Sequence, residues 1–178
     1  MPAPLSSLQQ TFQSFGGISR FLREGVADED SRQLRDSLGA LSMQIDEVTR
    51  LRRTGIDAHA ITRRVVDLAR CARQHQLFLT ELGSAWHALY EFDAYQRAFG
   101  ALRDAVAAWQ RALEQHSPRE QACFRQFELL AWRTLGEALL LIDIYEQPGD
   151  AQSDLSYALP QRLSGWQRVR AWFQRQWR

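Results

Sequence analysis

The chain has 178 residues, with 22 cationic side chains against 21 anionic ones and a formal net charge of +1. That length predicts one domain able to bury roughly 70% of the surface its unfolded form exposes, and so small a net charge excludes a global pull toward nucleic acid or an anionic membrane. All of the cations are arginine and asparagine is absent, the signature of a G+C-rich, bacterial genome, so arginine here fills the ordinary solvated positions that lysine would otherwise share.

Residues 1–19 carry no charged side chain but lack a basic leader and a continuous apolar core, which argues against a signal peptide. Leu5, Leu8, Phe12, Phe15, Ile18 and Leu22 recur at helical spacing, and Ser6 with Gln9 forms a capping pair. This predicts an N-terminal helix within 1–27, kinked or shortened by Gly16 and Gly17.

Asp30 and Gln33 then cap a second helix whose apolar stripe runs through Leu34, Leu38, Leu41, Ile45, Val48 and Leu51. Arg50, Arg52 and Arg53 suit the negative end of its dipole, and Gly55 supplies the stop. From Thr54 or Asp57 a third periodic run carries Ile61, Val65, Leu68, Ala72, Leu79, Leu82, Trp86 and Leu89, and Tyr95, Phe99, Leu102, Val106, Trp109 and Leu113 continue it. Unbroken, this would be a rod of about 90 Å at about 1.5 Å per residue. A new helix starting at Asp93, with a kink near Gly83, is the expected solution.

Ser117-Pro118-Arg119-Glu120 gives an N-cap serine, proline in the first turn and a glutamate at the third helical position, the strongest start signal in the chain. The helix it opens, to about Glu146, has apolar residues on more than one stripe, including Leu130, Trp132 and Leu139, and is expected to be the central one. Residues 147–160 read as a loop, and 161–178 as a final helix. The predicted fold is all-α: a single domain, 1–178, built as an antiparallel bundle of four long helices plus N- and C-terminal helices.

The last helix has no acidic residue. Trp166, Arg168, Arg170, Trp172, Arg175, Trp177 and Arg178 are its candidate partner-binding residues, with Trp166, Phe173 and Trp177 on one face and Arg168 and Arg175 opposite. Docking of that face onto the bundle, a protein interface, arginines on phosphates with stacked indoles, or an interfacial membrane helix each fits the pattern, the membrane least. His87 and Glu91 stand at i and i+4, a chelating interval, but the E-x-x-H motif of carboxylate-bridged di-metal bundles is missing. No metal is expected, and His87 reads as a hydrogen-bonded, semi-buried residue. His75 reads as a core-edge histidine. Cys71 and Cys123 show neither a CxxC spacing nor a cysteine/histidine cluster, which fits a reducing cytoplasm. No phosphate loop or nucleophile elbow is present, so no cofactor is expected.

Arg-x4-His occurs twice, as Arg70 to His75 and Arg111 to His116, and Arg53 to His59 adds an Arg-x5-His. The spacing resembles the signature of the HEPN ribonucleases. That resemblance implies an all-helical, metal-independent and usually dimeric enzyme, whose histidine and arginine activate the ribose 2′-hydroxyl and stabilise the phosphorane. HEPN motifs tend to place a polar residue directly after the arginine, whereas Cys71 and Ala112 follow here. The helical small subunits of CRISPR effector complexes are similar in size and class, without a motif that carries the likeness. The leading expectation is a soluble, cytoplasmic, non-enzymatic bundle that binds a protein partner through tryptophan and arginine anchors, with a homodimer compatible. The alternative is a nucleic-acid-associated protein, either a ribonucleoprotein subunit or the HEPN-like ribonuclease. A continuous basic face joining the last helix to Arg50, Arg52 and Arg53 would mark nucleic acid, and arginines paired with acids would mark protein.

Overall fold

A computed structural model describes residues 14–24, 29–55, 57–82, 84–87 and 89–146. They form α1 (Phe15–Glu24), α2 (Glu29–Thr54), α3 (Ala58–Glu81), the single turn α4 (Ser84–His87), α5 (Tyr90–Glu114) and α6 (Glu120–Glu146). No strand occurs among the described residues, so the all-α bundle expected from periodicity is what the chain builds. None of its described helices is long and apolar enough to cross a membrane.

Each long helix forms where a local signal and an apolar stripe coincide. Gly55, at φ 65°, ends α2 with its N–H on the Leu51 carbonyl, the left-handed stop that glycine adopts without a Cβ penalty. Two residues later Asp57 caps α3, its carboxylate accepting the His59 N–H at 2.9 Å. A connection this short can only reverse the chain, so α2 and α3 run antiparallel. Ser117 caps α6 by accepting the Arg119 N–H at 3.2 Å, and residues 115–119 likewise turn α6 back along α5.

Two start signals differ from expectation. Helix α2 begins at Glu29, ahead of Asp30. The long third run breaks between Glu81 and Tyr90, where α4 intervenes and Leu89 is the N-cap of α5. Asp93 therefore lies inside the first turn of α5 with Glu91, where a carboxylate is favoured by the dipole without acting as a cap. Gly16 and Gly17 sit in the first turn of α1 rather than its middle. Residues 1–13, the expected loop at 147–160 and the expected helix at 161–178 lie outside the described residues.

The four long helices pack as a ring in the order α2, α3, α5, α6, with α6 returning to α2. Their inward stripes form one cluster that includes Leu34, Leu41, Val65, Leu68, Phe92, Phe99, Trp109, Phe127 and Leu135. A ring has no central member, which corrects the expectation for α6. Its extra apolar residues serve several neighbours: Leu130 and Trp132 are only half-buried, and Trp132 stacks on Phe15 of α1 at 4.3 Å. Helix α1 packs along α2 and touches α6 through the Phe15–Trp132 stack, burying Phe15, Ile18 and Leu22. Ser42 of α2 donates to the Phe15 carbonyl at 2.9 Å, and Ser19 donates to the Gly39 carbonyl at 3.2 Å. At the far end of the bundle, α4 inserts Trp86 flat against Tyr145 of α6, with ring centroids 3.6 Å apart.

Candidate functional site

Histidine 75, one of the candidate catalytic residues, sits on the inner stripe of α3 and is 1% exposed, deeper than the core edge expected of it. Its Nδ1 lies 2.6 Å from Ser37 Oγ on α2, and its Nε2 lies 2.5 Å from Tyr95 Oη on α5. The phenol is fully buried, and the histidine is the acceptor in reach of its O–H. A buried hydroxyl must donate somewhere, so Nε2 accepts, Nδ1 carries the proton and donates to Ser37, and the imidazole is neutral. Burial pushes the His75 pKa down to about 4, because a charged ring would lose its hydration. Phe99 meets the ring edge-on at 4.9 Å. The result is a polar strut joining three helices across an apolar core.

Arg70 does not join it. Five residues before His75 on the same helix, it points the opposite way into solvent, 63% exposed, and pairs with Asp67 at 3.4 Å. A step of five residues turns a helix by about 140°, so this interval separates the two side chains. Arg111 is exposed in the last turn of α5, and His116 is exposed in the following turn at φ 48°. That pair shares the open end of the bundle, well away from the interior in which His75 is enclosed. The two motifs are thus placed in different surroundings, one buried and one on a turn.

His87 and Glu91 also part company. The break between α4 and α5 falls between them, so the continuous helix that an i, i+4 chelate needs is absent. His87 is exposed rather than semi-buried, and it packs against Phe92 at 4.7 Å. Among the described residues no group of three or more histidine, cysteine, aspartate or glutamate side chains converges to hold a metal ion. Cys71 and Cys123 are free thiols, and burial raises the Cys71 pKa.

Sequence reasoning missed a second polar cluster, at the opposite end of the ring from α4. Glu120, the glutamate of the α6 start signal, does not receive the N–H of its own cap residue. Instead Ser117 N–H bonds to Ala112 O at 2.9 Å, and the Glu120 carboxylate receives three donors from other helices. Arg52 of α2 gives Nε and Nη2 at 2.9 and 2.7 Å, and Trp109 of α5 gives Nε1 at 2.8 Å. Burial alone would raise the Glu120 carboxyl, but the hydrogen bonds from Arg52 and Trp109 and the adjacent positive charge outweigh it and hold the pKa below the ordinary range. Arg52 also lies over the Phe124 ring, 5.5 Å from its centroid. Arg53 pairs with Glu128 of α6, and Arg64 of α3 pairs with Glu47 of α2 at 2.9 Å. A glutamate in a start signal can be read from sequence, but its distant donors cannot.

Between α3 and α5 the outer surface of the ring holds a recess of about 280 Å³. Val66, Ala69, Ala72, Val106 and Ala107 make its floor, with Arg73, Arg103, Asp104 and Gln110 beside it. On the same two helices Leu77 and Tyr90 are 64% and 74% exposed. Trp166, Arg168, Arg170, Trp172, Arg175, Trp177 and Arg178 lie outside the described residues. Compared with family models, curated proteins and solved structures, the chain matches none.

Proposed function

We propose that this chain is a non-enzymatic helical bundle that acts by binding another protein. The observation that carries the reading is the open recess between α3 and α5, a floor of valine and alanine rimmed by Arg73, Arg103, Asp104 and Gln110. Such a floor suits the apolar face of a protein segment better than it suits phosphates, which are met by donors and cations. The arginines at the end of α2 favour the same partner class. Arg52 and Arg53, which would extend a basic surface, are each engaged by a glutamate of α6, and a neutralised arginine contributes little to counterion release.

The ribonuclease alternative requires an arginine and a histidine to meet at one phosphodiester. With His75 enclosed and Arg70 facing solvent, the Arg70–His75 pair does not meet that requirement, and single-stranded RNA incubated with the purified chain in EDTA is expected to stay intact. The deciding experiment for binding is affinity capture from the native host before and after nuclease treatment. A protein retained after nuclease, with binding that responds weakly to salt, is the expected result. Loss of every captured species on nuclease treatment, with a steep salt dependence, would replace the protein partner by nucleic acid.

A further inference from the structure

The α4 end of the ring is strongly acidic, and the chain leaves the bundle from it. His75 meets Ser37 and Tyr95 across three helices, and Thr134 of α6 donates to the Ala98 carbonyl at 3.0 Å. These contacts place residues 29–36, 76–94 and 137–146 on the α4 side of the bundle. Together those stretches carry nine carboxylates and two arginines. Among the described residues no cation pairs with Glu81, Glu91 or Asp93, and Glu81 and Asp93 are exposed.

Two further features belong to this end. Leu77 and Tyr90 are largely exposed, and each stands one helical turn from a carboxylate of its own helix, Leu77 from Glu81 and Tyr90 from Asp93. Trp86 is buried and stacked on Tyr145, yet its indole N–H has no acceptor among the described residues, although a buried donor ordinarily finds one. Helix α6 delivers the chain here, since Tyr145 is its penultimate residue. Residues 161–178, further along, carry five arginines and no acid. At helical spacing Arg162 and Arg170 fall on the same side as Trp166, Phe173 and Trp177, with Arg168 and Arg175 opposite. That side repeats, with opposite charge, the alternation of Leu77 with Glu81 and of Tyr90 with Asp93. Residues 147–160 can span on the order of 45 Å when extended, enough to reach any part of this end.

We infer that residues 161–178 dock on the acidic α4 end of their own bundle, with the aromatic side over Leu77 and Tyr90 and with Arg162 and Arg170 on Glu81 and Asp93. Exposed ion pairs contribute little singly, so aromatic burial supplies the affinity while the charges select this end over the others. The tether makes the event intramolecular, at a high effective concentration. Docked so, the segment turns Arg168 and Arg175 away from the bundle. The inference does not depend on the protein-binding reading above.

The test is photocross-linking of the full chain with a benzophenone side chain in place of Phe173, the products being mapped by mass spectrometry. The expected product is a monomer joined between position 173 and residues 76–94. Charge reversal in the bundle, Glu81→Arg/Asp93→Arg, should lose most of that product, because two attractive pairs become repulsive. Reversal in the tail, Arg162→Glu/Arg170→Glu, should do the same and leaves the bundle's own sequence untouched, so it decides the matter even if the first variant fails to fold. Combining the two reversals should restore the product. A product of dimer mass overturns the inference in favour of a second copy. It is equally overturned if no product forms, if the product maps to residues 50–63 or 109–125, or if the tail reversal leaves the yield unchanged.

Discussion

Burying a neutral histidine between a serine and a tyrosine makes His75 a point where pH acts on stability. Its pKa is about 4 in the fold against about 6.5 when unfolded. The unfolded chain therefore takes up the proton first as pH falls. Stability is complete above about pH 6.5, declines through the window down to about pH 4, and falls no further on this account below it. The difference corresponds to about 3 kcal/mol. Urea denaturation at pH 7 and pH 4.5 should show this loss in the native chain, while a His75→Gln variant should lack the histidine component. The strut has a second dependence. Tyr95→Phe removes the donor to Nε2 and leaves a buried acceptor unpaired, which should cost about 1–3 kcal/mol at pH 7. A Tyr95→Phe chain as stable as the original at pH 7 would show that the strut carries no net energy.

At the scale of the element, helix ends and helix interiors respond oppositely to the same substitution. Gly55 holds a positive φ with nothing near its would-be Cβ, so Gly55→Ala should destabilise by about 1 kcal/mol through backbone strain alone. Gly100, inside α5 with equally open space, should gain about 0.5–1 kcal/mol on replacement by alanine. Thermal melts of the two variants should move in opposite directions. Glu120 ties three elements at once, and Glu120→Leu should cost about 1–3 kcal/mol because it leaves the Trp109 N–H without an acceptor. Arg52→Leu should cost less, since that acceptor remains.

The same comparison explains what was legible in the chain. The stripes from Leu34 to Val48, from Ile61 to Leu79 and from Tyr95 to Trp109 all point inward, because periodicity records which side of a helix meets water. Gly55, Asp57 and Ser117 punctuate as expected, because their chemistry is local. The break at Leu89 was not legible, since an apolar residue served as cap and Asp93 offered a false start. Nor were the partners of His75, which lie 38 and 20 residues away along the chain, or those of Glu120, 68 and 11 residues away. The Arg70–His75 interval carried the wrong implication for a plain geometric reason, the rotation of the helix between them.

For the whole molecule, the ring and its cover should separate under perturbation. Helix α1 is held by apolar burial, the Phe15–Trp132 stack and the Ser42 hydrogen bond, none of which belongs to the α3–α5 half. Phe15→Ala should cost about 3–5 kcal/mol, and hydrogen exchange should rise first in residues 15–24, with the α5–α6 pair keeping its protection. Uniform loss of protection across all helices would show instead that cover and ring unfold as one unit.

The Phe15–Trp132 stack also sets a schedule. The two rings meet across most of the chain, so during synthesis the inner face of α1 emerges long before the residue that covers it. At about 5–20 residues per second the interval is on the order of ten seconds. Throughout it, Phe15, Ile18 and Leu22 can be sheltered only on the α2 side, and closure of Arg52 onto Glu120 must wait as well. Completion of this bundle is therefore tied to the late arrival of α6, and a nascent chain stalled before Trp132 presents a sticky apolar face to the chaperones around it.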